Sequence, residues 1–304
     1  MRLSLITESP ARPEFRKMIE KAARAVAPLV EEITGLSLPE AATIRLTSRH
    51  GFVADVSAEQ RRGLHRDIAE LTLSEEEAQG FHDLLMLREE NLWRHWMLAG
   101  ASTIVERRGN CEGPTILFMP DALYHQGAGE CEVTMFVARE LCHLAEHHAG
   151  DGLISRAHTM ACPERRGILG YSHFVASGHG FWCARKVTRR LFGVQVGREL
   201  TGRESAEFTR YIHEELIPEQ ELRAKTAQEP LRSVWLPSRS ATIGPPHELY
   251  EAGLAWVEAV VGFEGGRGQL NRVWSDLSLL PTIEEARDVT AWWKRITAQA
   301  PRAA

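Results

Sequence analysis

The spacing of apolar residues along the chain predicts a mainly helical protein. Over 13–34 the apolar positions recur every three or four residues, and Gly35 follows where a helix of this pattern should end. Ser57 with Gln60 resembles a capping box, and Ser74 is followed by three glutamates that suit a helix N-terminus. The predicted helices cover 13–34, 58–71, 74–99, 132–150, 172–193, 204–226 and 288–297, with a further helical stretch from about 247 to 274 that breaks at Gly265–Gly266.

Four short segments have the composition of β-strands. The segment 114–123 is a continuous apolar run, which is typical of a strand buried on both faces. The predicted strands are 42–48, 51–56, 101–108 and 114–123. The predicted class is therefore mainly α with a small β-sheet (α+β). Three regions are expected: 1–100 with helices and short strands, a core at 101–226, and a C-terminal helical region at 246–304, reached through a polar loop with several prolines.

Composition and charge limit the classes of partner and the cellular setting that we expect for the protein. The chain of 304 residues carries 36 Lys and Arg against 41 Asp and Glu, a formal charge of −5, which argues against a broad nucleic-acid footprint. No uncharged apolar run is long enough for a membrane span, and the N-terminus does not resemble a secretory signal. The five cysteines are odd in number and include no C-x-x-C, so we expect a reducing, cytoplasmic setting. The expected ligand is a small molecule or a peptide; nothing indicates the oligomeric state.

The segment that carries candidate chemistry is Arg139-Glu140-Leu141-Cys142-His143. Zinc peptidases of the zincin class use H-E-x-x-H on a helix, where two histidines four residues apart reach one metal and the glutamate activates the metal-bound water. Glu140 and His143 match this pattern, and Arg139 stands where the first histidine would be. The spacing alone favours a charged helix face with a hydrogen-bonded histidine over a catalytic site.

Other segments extend the likeness to a family. Ser177-Gly178-His179-Gly180 begins 34 residues after His143, where many zincins have E-G-[HY]-A with the glutamate as a third zinc ligand. Together with the tail segments 249–261, 270–274 (LNRVW) and 280–284 (LPTIE), the chain resembles an uncharacterised actinobacterial family of zinc-dependent metalloproteases. The resemblance implies a zincin-like metallopeptidase fold with an active-site helix over 132–149 and a second cleft helix over 172–192.

Two ligand positions of that family are changed here, so its zinc chemistry is not carried over. Arg139 replaces a histidine and Ser177 replaces a glutamate, and an arginine cannot become a metal ligand. We therefore expect a metal-free protein in which Arg139 supplies the lost positive charge and binds a substrate carboxylate or an oxyanion. In the alternative, Arg139 pairs with a nearby acid and only holds the helix.

Three functions follow from this divergent site. In the first, the old cleft binds a ligand or catalyses acid–base chemistry, with Glu140 as base, His143 and His179 as acid–base partners, and Arg139 as the anion-binding group. The segment around Ser177 would then contact substrate, helped by Tyr171 and His173. In the second, a shifted zinc site forms from His143, His147 and His179, because His143 to His147 fits H-x-x-E-H. In the third, the protein is a pseudopeptidase that binds a peptide or protein without catalysis.

Overall fold

The computed structural model describes residues 1–8, 12–71, 73–108, 111–154, 172–193, 202–218 and 247–298. Four strands form one mixed sheet: β1 (Arg2–Thr7), β2 (Ala41–Leu46), β3 (Ala101–Arg108) and β4 (Cys111–Phe118). The sheet order is β1-β2-β4-β3, in which β1–β2 and β2–β4 are parallel and β3–β4 is an antiparallel hairpin. Ile44 lies opposite Ile116, and Ile116 lies opposite Thr103.

Helices account for most of the remaining described residues. They are α1 (Pro13–Thr34), α2 (Arg49–Leu71), α3 (Glu75–Arg94), α4 (Pro120–His125), α5 (Glu130–Ala149), α6 (Ser172–Phe192), α7 (Ala206–Tyr211), α8 (His247–Gly262), α9 (Gly266–Arg272), α10 (Ile283–Arg287) and α11 (Val289–Ala298). Short 3-10 turns cover Trp96–Leu98 and Leu277–Leu279, and a π-helical turn at Ile212–Leu216 continues α7. The chain is thus mainly helical with a small sheet.

The sheet separates two hydrophobic layers. Ile116 and Phe118 of β4 belong to the large core that also holds α1, α5, α6 and α8, whereas Leu117 between them packs with Phe52 of α2 and Leu92 of α3. This alternation follows from the two-residue period of a strand. A strand covered by helices on both faces must be apolar throughout, which explains the continuous apolar run predicted for β4.

The helices α5, α6 and α8 pack one against the next. Glycines allow the closest of these contacts: a Cβ on Gly178 of α6 would lie 2.3 Å from the carbonyl oxygen of Gly253 in α8. On its other side α6 meets α5 at Gly180, where a Cβ would lie 2.9 Å from Cε1 of His143. The two glycines therefore fix how deeply α6 sits between its neighbours.

Most predicted elements are confirmed, with several corrected bounds. The predicted strand over 51–56 is wrong: these residues lie in α2, which begins at Arg49, so Ser57 is buried inside the helix and does not open it. The strand Arg2–Thr7 was not predicted. Segment 114–123 divides into the end of β4 and the helix α4, and the helix from Ser74 ends at Arg94 instead of 99. The predicted 204–226 helix begins at Ala206, and its residues 219–226 and the linker lie outside the described residues.

Candidate functional site

The site residues that the sequence singles out lie on α5 and α6. The N-terminus of α5 is fixed by Glu132, whose carboxylate accepts the backbone N–H of Gly129 at 2.8 Å. The helix then runs through the core, and Val137, Leu141 and Leu144 are at most 1% exposed. Since residues three and four apart share a helix face, His143 and Glu146 lie together on the side of α5 that meets α6.

Arg139 and Glu140 form an ion pair in which the glutamate is buried and the arginine side chain is 18% exposed. Nε of Arg139 donates to Oε1 of Glu140 at 2.7 Å, and Nη2 donates to the carbonyl oxygen of Ala101 at 3.0 Å. The hydroxyl of Thr103 donates to Oε2 of Glu140 at 2.8 Å, so both carboxylate oxygens are bound. Burial acts to raise the pKa of Glu140, but the charges of Arg139 and His143 and the hydrogen bonds from Arg139 and Thr103 together outweigh it, and the pKa is lowered. The arginine therefore has the acid partner that the alternative interpretation anticipated.

A second buried network joins the two helices. Glu146, which is 1% exposed, receives Nδ1 of His143 at 3.0 Å on one oxygen and Nδ1 of His179 at 2.7 Å on the other. Burial acts to raise the pKa of Glu146, yet the charge and hydrogen bond of His143, with the bond from His179, lower it to about 2. Burial acts to lower the pKa of His143, but Glu146 raises it above its usual value.

The two histidines differ in access to solvent. The His143 side chain is 22% exposed, whereas His179 is completely buried. The His179 ring stacks on Trp182 at 5.5 Å between centroids and lies 5.1 Å from the ring of Trp274. Its Nε2 has no hydrogen-bond partner among the residues that the structure describes. A substrate can therefore reach His143 more readily than His179.

The crossing of α5 and α6 brings some of the predicted residues together. Cγ of Arg139 and the ring of His143 both lie about 3.0 Å from the position of a Cβ on Gly180. Ser177 lies one turn earlier on α6 and is 8% exposed, and within the described ranges no hydrogen bond joins it to Arg139 or His143. Tyr171 lies outside the described residues, as does the side chain of His173. The catalytic and binding roles of all these residues stay predictions.

The donor atoms available for a metal differ from both sets considered from the sequence. Arg139 stands at a ligand position of the zinc family, and its guanidinium is held by Glu140 and Ala101, so that set does not fit a metal. The ring of His147 lies beside Gly152. Among the described residues, the His, Cys, Asp and Glu side chains whose donor atoms gather within 4.8 Å are Cys142, Glu146 and His179.

Sequence reasoning missed the importance of Glu146 and Cys142. In the sequence, Glu146 stands out only as a letter of the H-x-x-E-H pattern, and no role is predicted for Cys142. The usable signal was the spacing of four residues between Cys142 and Glu146, which places both on one helix face. That this face meets His179 depends on how α5 and α6 pack.

Comparison with known proteins supports the fold only. The sequence matches no family model, and no curated protein matches it. The structure is similar to the crystal structure of a "putative hydrolase with a novel fold" from Chloroflexus aurantiacus, with a TM-score of 0.55 and 18% sequence identity over 96% of this chain and 93% of that chain. The zincin-like fold is not confirmed by these comparisons and stays a prediction. No helix within the described ranges is long and apolar enough to cross a membrane.

Proposed function

We propose that the chain is a hydrolase with its active site at the crossing of α5 and α6. His143, oriented by Glu146, is the residue that transfers a proton to or from the substrate. The observation that carries the proposal is the contact of 3.0 Å between Nδ1 of a partly exposed His143 and a carboxylate that is itself fully buried. A carboxylate on Nδ1 fixes the tautomer and leaves Nε2 for the reacting group, as in hydrolases that use a His–acid pair. The similar fold of the Chloroflexus protein described as a hydrolase supports this class.

Arg139 is the proposed anion-binding group, and Glu140 its positioning residue. Nε and Nη2 of Arg139 are used in the contacts with Glu140 and Ala101, which leaves Nη1 as the donor for a substrate carboxylate or oxyanion. Both oxygens of Glu140 accept hydrogen bonds from Arg139 and Thr103, and the Glu140 side chain is 2% exposed, so Glu140 is poorly placed to activate a water molecule. Proton transfer therefore falls to His143, which lies on the same face as Arg139 against Gly180.

The raised pKa of His143 determines the pH range in which His143 donates a proton and the range in which it accepts one. A histidine whose pKa lies above its usual value is protonated over a wider pH range, so it serves as a general acid below that pKa and as a general base above it. Replacement of Glu146 by glutamine removes the main cause of the increase. We expect the pH profile of Glu146→Gln to move to lower pH, which separates orientation by Glu146 from a merely structural role.

The test is a screen of the purified chain against chromogenic esters and short peptides, followed by variants. His143→Gln should reduce kcat/KM at least 100-fold, as expected for loss of a general acid–base group. His148→Gln is the matched control, because His148 lies on the same helix but is exposed. Full activity of His143→Gln, or no turnover of any substrate by the wild-type chain, would contradict the proposal.

A binding protein without catalysis is the second candidate. It is favoured by the closed Arg139–Glu140 pair, since an ion pair with both carboxylate oxygens occupied is typical of a structural contact. The same preparation distinguishes the two candidates. Peptide binding that persists in His143→Gln, in a chain that turns over no substrate, supports the binding function and excludes the hydrolase.

A further inference from the structure

Behind His143, the interface of α5 and α6 buries four side chains of the types that can ligate a metal. Of these, the proposed reaction uses only Glu146. Cys142 and Glu146 lie four residues apart on α5, and His179 and Cys183 lie four residues apart on α6. All four residues are at most 1% exposed. Because residues at this spacing share a helix face, the two facing pairs converge within the core.

The distances between three of these donor atoms are close to those of a tetrahedral zinc site. Sγ of Cys142 lies 3.3 Å from Nδ1 of His179 and 3.5 Å from Oε1 of Glu146, and the latter two atoms are 2.7 Å apart. Ordinary zinc–ligand bond lengths give edges of about 3.5 Å for S–N and S–O and about 3.3 Å for N–O. The two sulfur edges already match, and the N–O edge needs to open by about 0.6 Å.

We propose that Cys142, Glu146 and His179 form a buried site for a thiophilic divalent ion of the zinc class. A mixed set of thiolate, imidazole and carboxylate suits Zn²⁺ and its spectroscopic substitute Co²⁺ better than Mg²⁺ or Ca²⁺, which prefer oxygen alone. The thiol of Cys183 interacts with that of Cys142 and is the available fourth donor. This site differs from the zinc position implied by the family resemblance and from the shifted site of His143, His147 and His179.

The charges at the site are compatible with burial. A divalent ion with the Cys142 thiolate and the Glu146 carboxylate has a net charge of zero, and a Cys183 thiolate as fourth ligand would bring it to −1, so at most one net charge is left in the core. The second oxygen of Glu146 keeps its contact with His143. An ion would therefore also hold the carboxylate that orients His143, and His143 would be hydrogen-bonded to a ligand of the metal. The metal site does not depend on whether His143 is catalytic.

Titration of the reduced, chelator-treated full chain with Co²⁺ tests the site without any substrate. We expect one equivalent to bind, with a thiolate-to-cobalt charge-transfer band in the near ultraviolet that Zn²⁺ abolishes by displacement. Zinc at about 100 times its Kd should also raise the Tm by roughly 4 °C. Failure of the folded wild-type chain to take up stoichiometric metal, or uptake of cobalt without the thiolate band, overturns the proposal.

Cysteine variants locate the bound ion. Cys111→Ser, Cys131→Ser and Cys162→Ser combined in one chain keep only the two buried thiols, and this variant should retain the full band. Adding Cys142→Ser should remove at least half of the band, because Cys183 is then the one thiol left, with far-UV circular dichroism as the check on folding. Loss of the band in the triple variant would place the ion elsewhere and refute the site. Should the quadruple variant fail to fold, the wild-type and triple-variant titrations decide the question alone.

Discussion

A methyl group added at Gly178 should lower the free energy of unfolding, because it would meet the backbone of a neighbouring helix. A Cβ there would lie 2.3 Å from the carbonyl oxygen of Gly253 and 2.4 Å from its carbonyl carbon, and both atoms belong to the backbone of α8. To bring the oxygen contact to 3.0 Å, the shortest that Cβ atoms tolerate, α6 and α8 must separate by at least 0.7 Å. No side-chain rotation can relieve this clash.

The magnitude follows from two opposing effects. Overpacking of a tight interface costs about 1–3 kcal/mol. Alanine in a helix interior recovers about 0.5–1 kcal/mol relative to glycine. Gly178→Ala should therefore lower the free energy of unfolding by about 1–2 kcal/mol, and movement of α6 should also lengthen the bond of 2.7 Å between His179 and Glu146.

Two other glycines provide matched controls for the same substitution. Gly80 lies on an exposed face of α3 with nothing within 4 Å of a Cβ, so Gly80→Ala should stabilise the chain by about 0.5–1 kcal/mol. Gly180 faces side-chain atoms of His143 and Arg139 at 2.9–3.0 Å, which can move, so Gly180→Ala should fall between the two. Urea unfolding followed by circular dichroism measures all three. If Gly178→Ala and Gly80→Ala differ by less than about 0.5 kcal/mol, the close helix contact is not as described.

Three further predictions concern buried charges. Arg139→Met should lower the free energy of unfolding by about 3–5 kcal/mol because it leaves Glu140 buried without its cation. Glu140→Gln added to Arg139→Met should restore at least half of that stability. A loss below about 1 kcal/mol for Arg139→Met alone would argue against the ion pair. The pKa of Glu146, about 2 against an ordinary 4.5, gives stability that is present above pH 4.5 and lost as the pH falls towards 2, so acid titration of unfolding should show this slope in the wild type and lack it in Glu146→Gln. Burial raises the pKa of Glu59 to about 7 despite the Val105 N–H that it accepts at 2.6 Å, so ionisation of Glu59 lowers stability as the pH rises past 4.5. Glu59→Gln should therefore be more stable than the wild type by roughly 3 kcal/mol at pH 8 and equally stable at pH 4, and no gain at pH 8 would contradict this.

The sequence predicts elements well where local rules determine them. The capping box of Ser74 with Glu77 is present, and Gly35 ends α1 with a φ of 70°, a left-handed conformation that glycine adopts readily. The error at 51–56 has a tertiary cause: Phe52 and Val53 are apolar in sequence like strand residues, but they are buried under the sheet as part of a helix. The strand β1 depends on its parallel pairing with β2, which no local pattern reveals.

In the candidate site too, local rules predict some features, whereas others depend on tertiary packing. Placement of Arg139, Glu140 and His143 on one helix follows from periodicity, and α6 follows from its own apolar pattern. The contact partner of each side chain does not follow from periodicity. Arg139 pairs with its immediate neighbour Glu140 because its long side chain can fold back, although adjacent helix residues do not normally face each other. The link from Glu146 to His179 spans 33 residues and exists only because α5 and α6 pack in one particular register.

Because Trp274 contacts His179, truncation of the chain before Trp274 would expose part of the core. Trp274 is fully buried and belongs to the last part of the chain, whereas His179 belongs to the middle. A shortened protein that stops before α8 would open this interior histidine to water and would leave the bare backbone at Gly178 without its neighbour. The central helices therefore do not form a free-standing module, and attempts to express them alone should yield aggregated material.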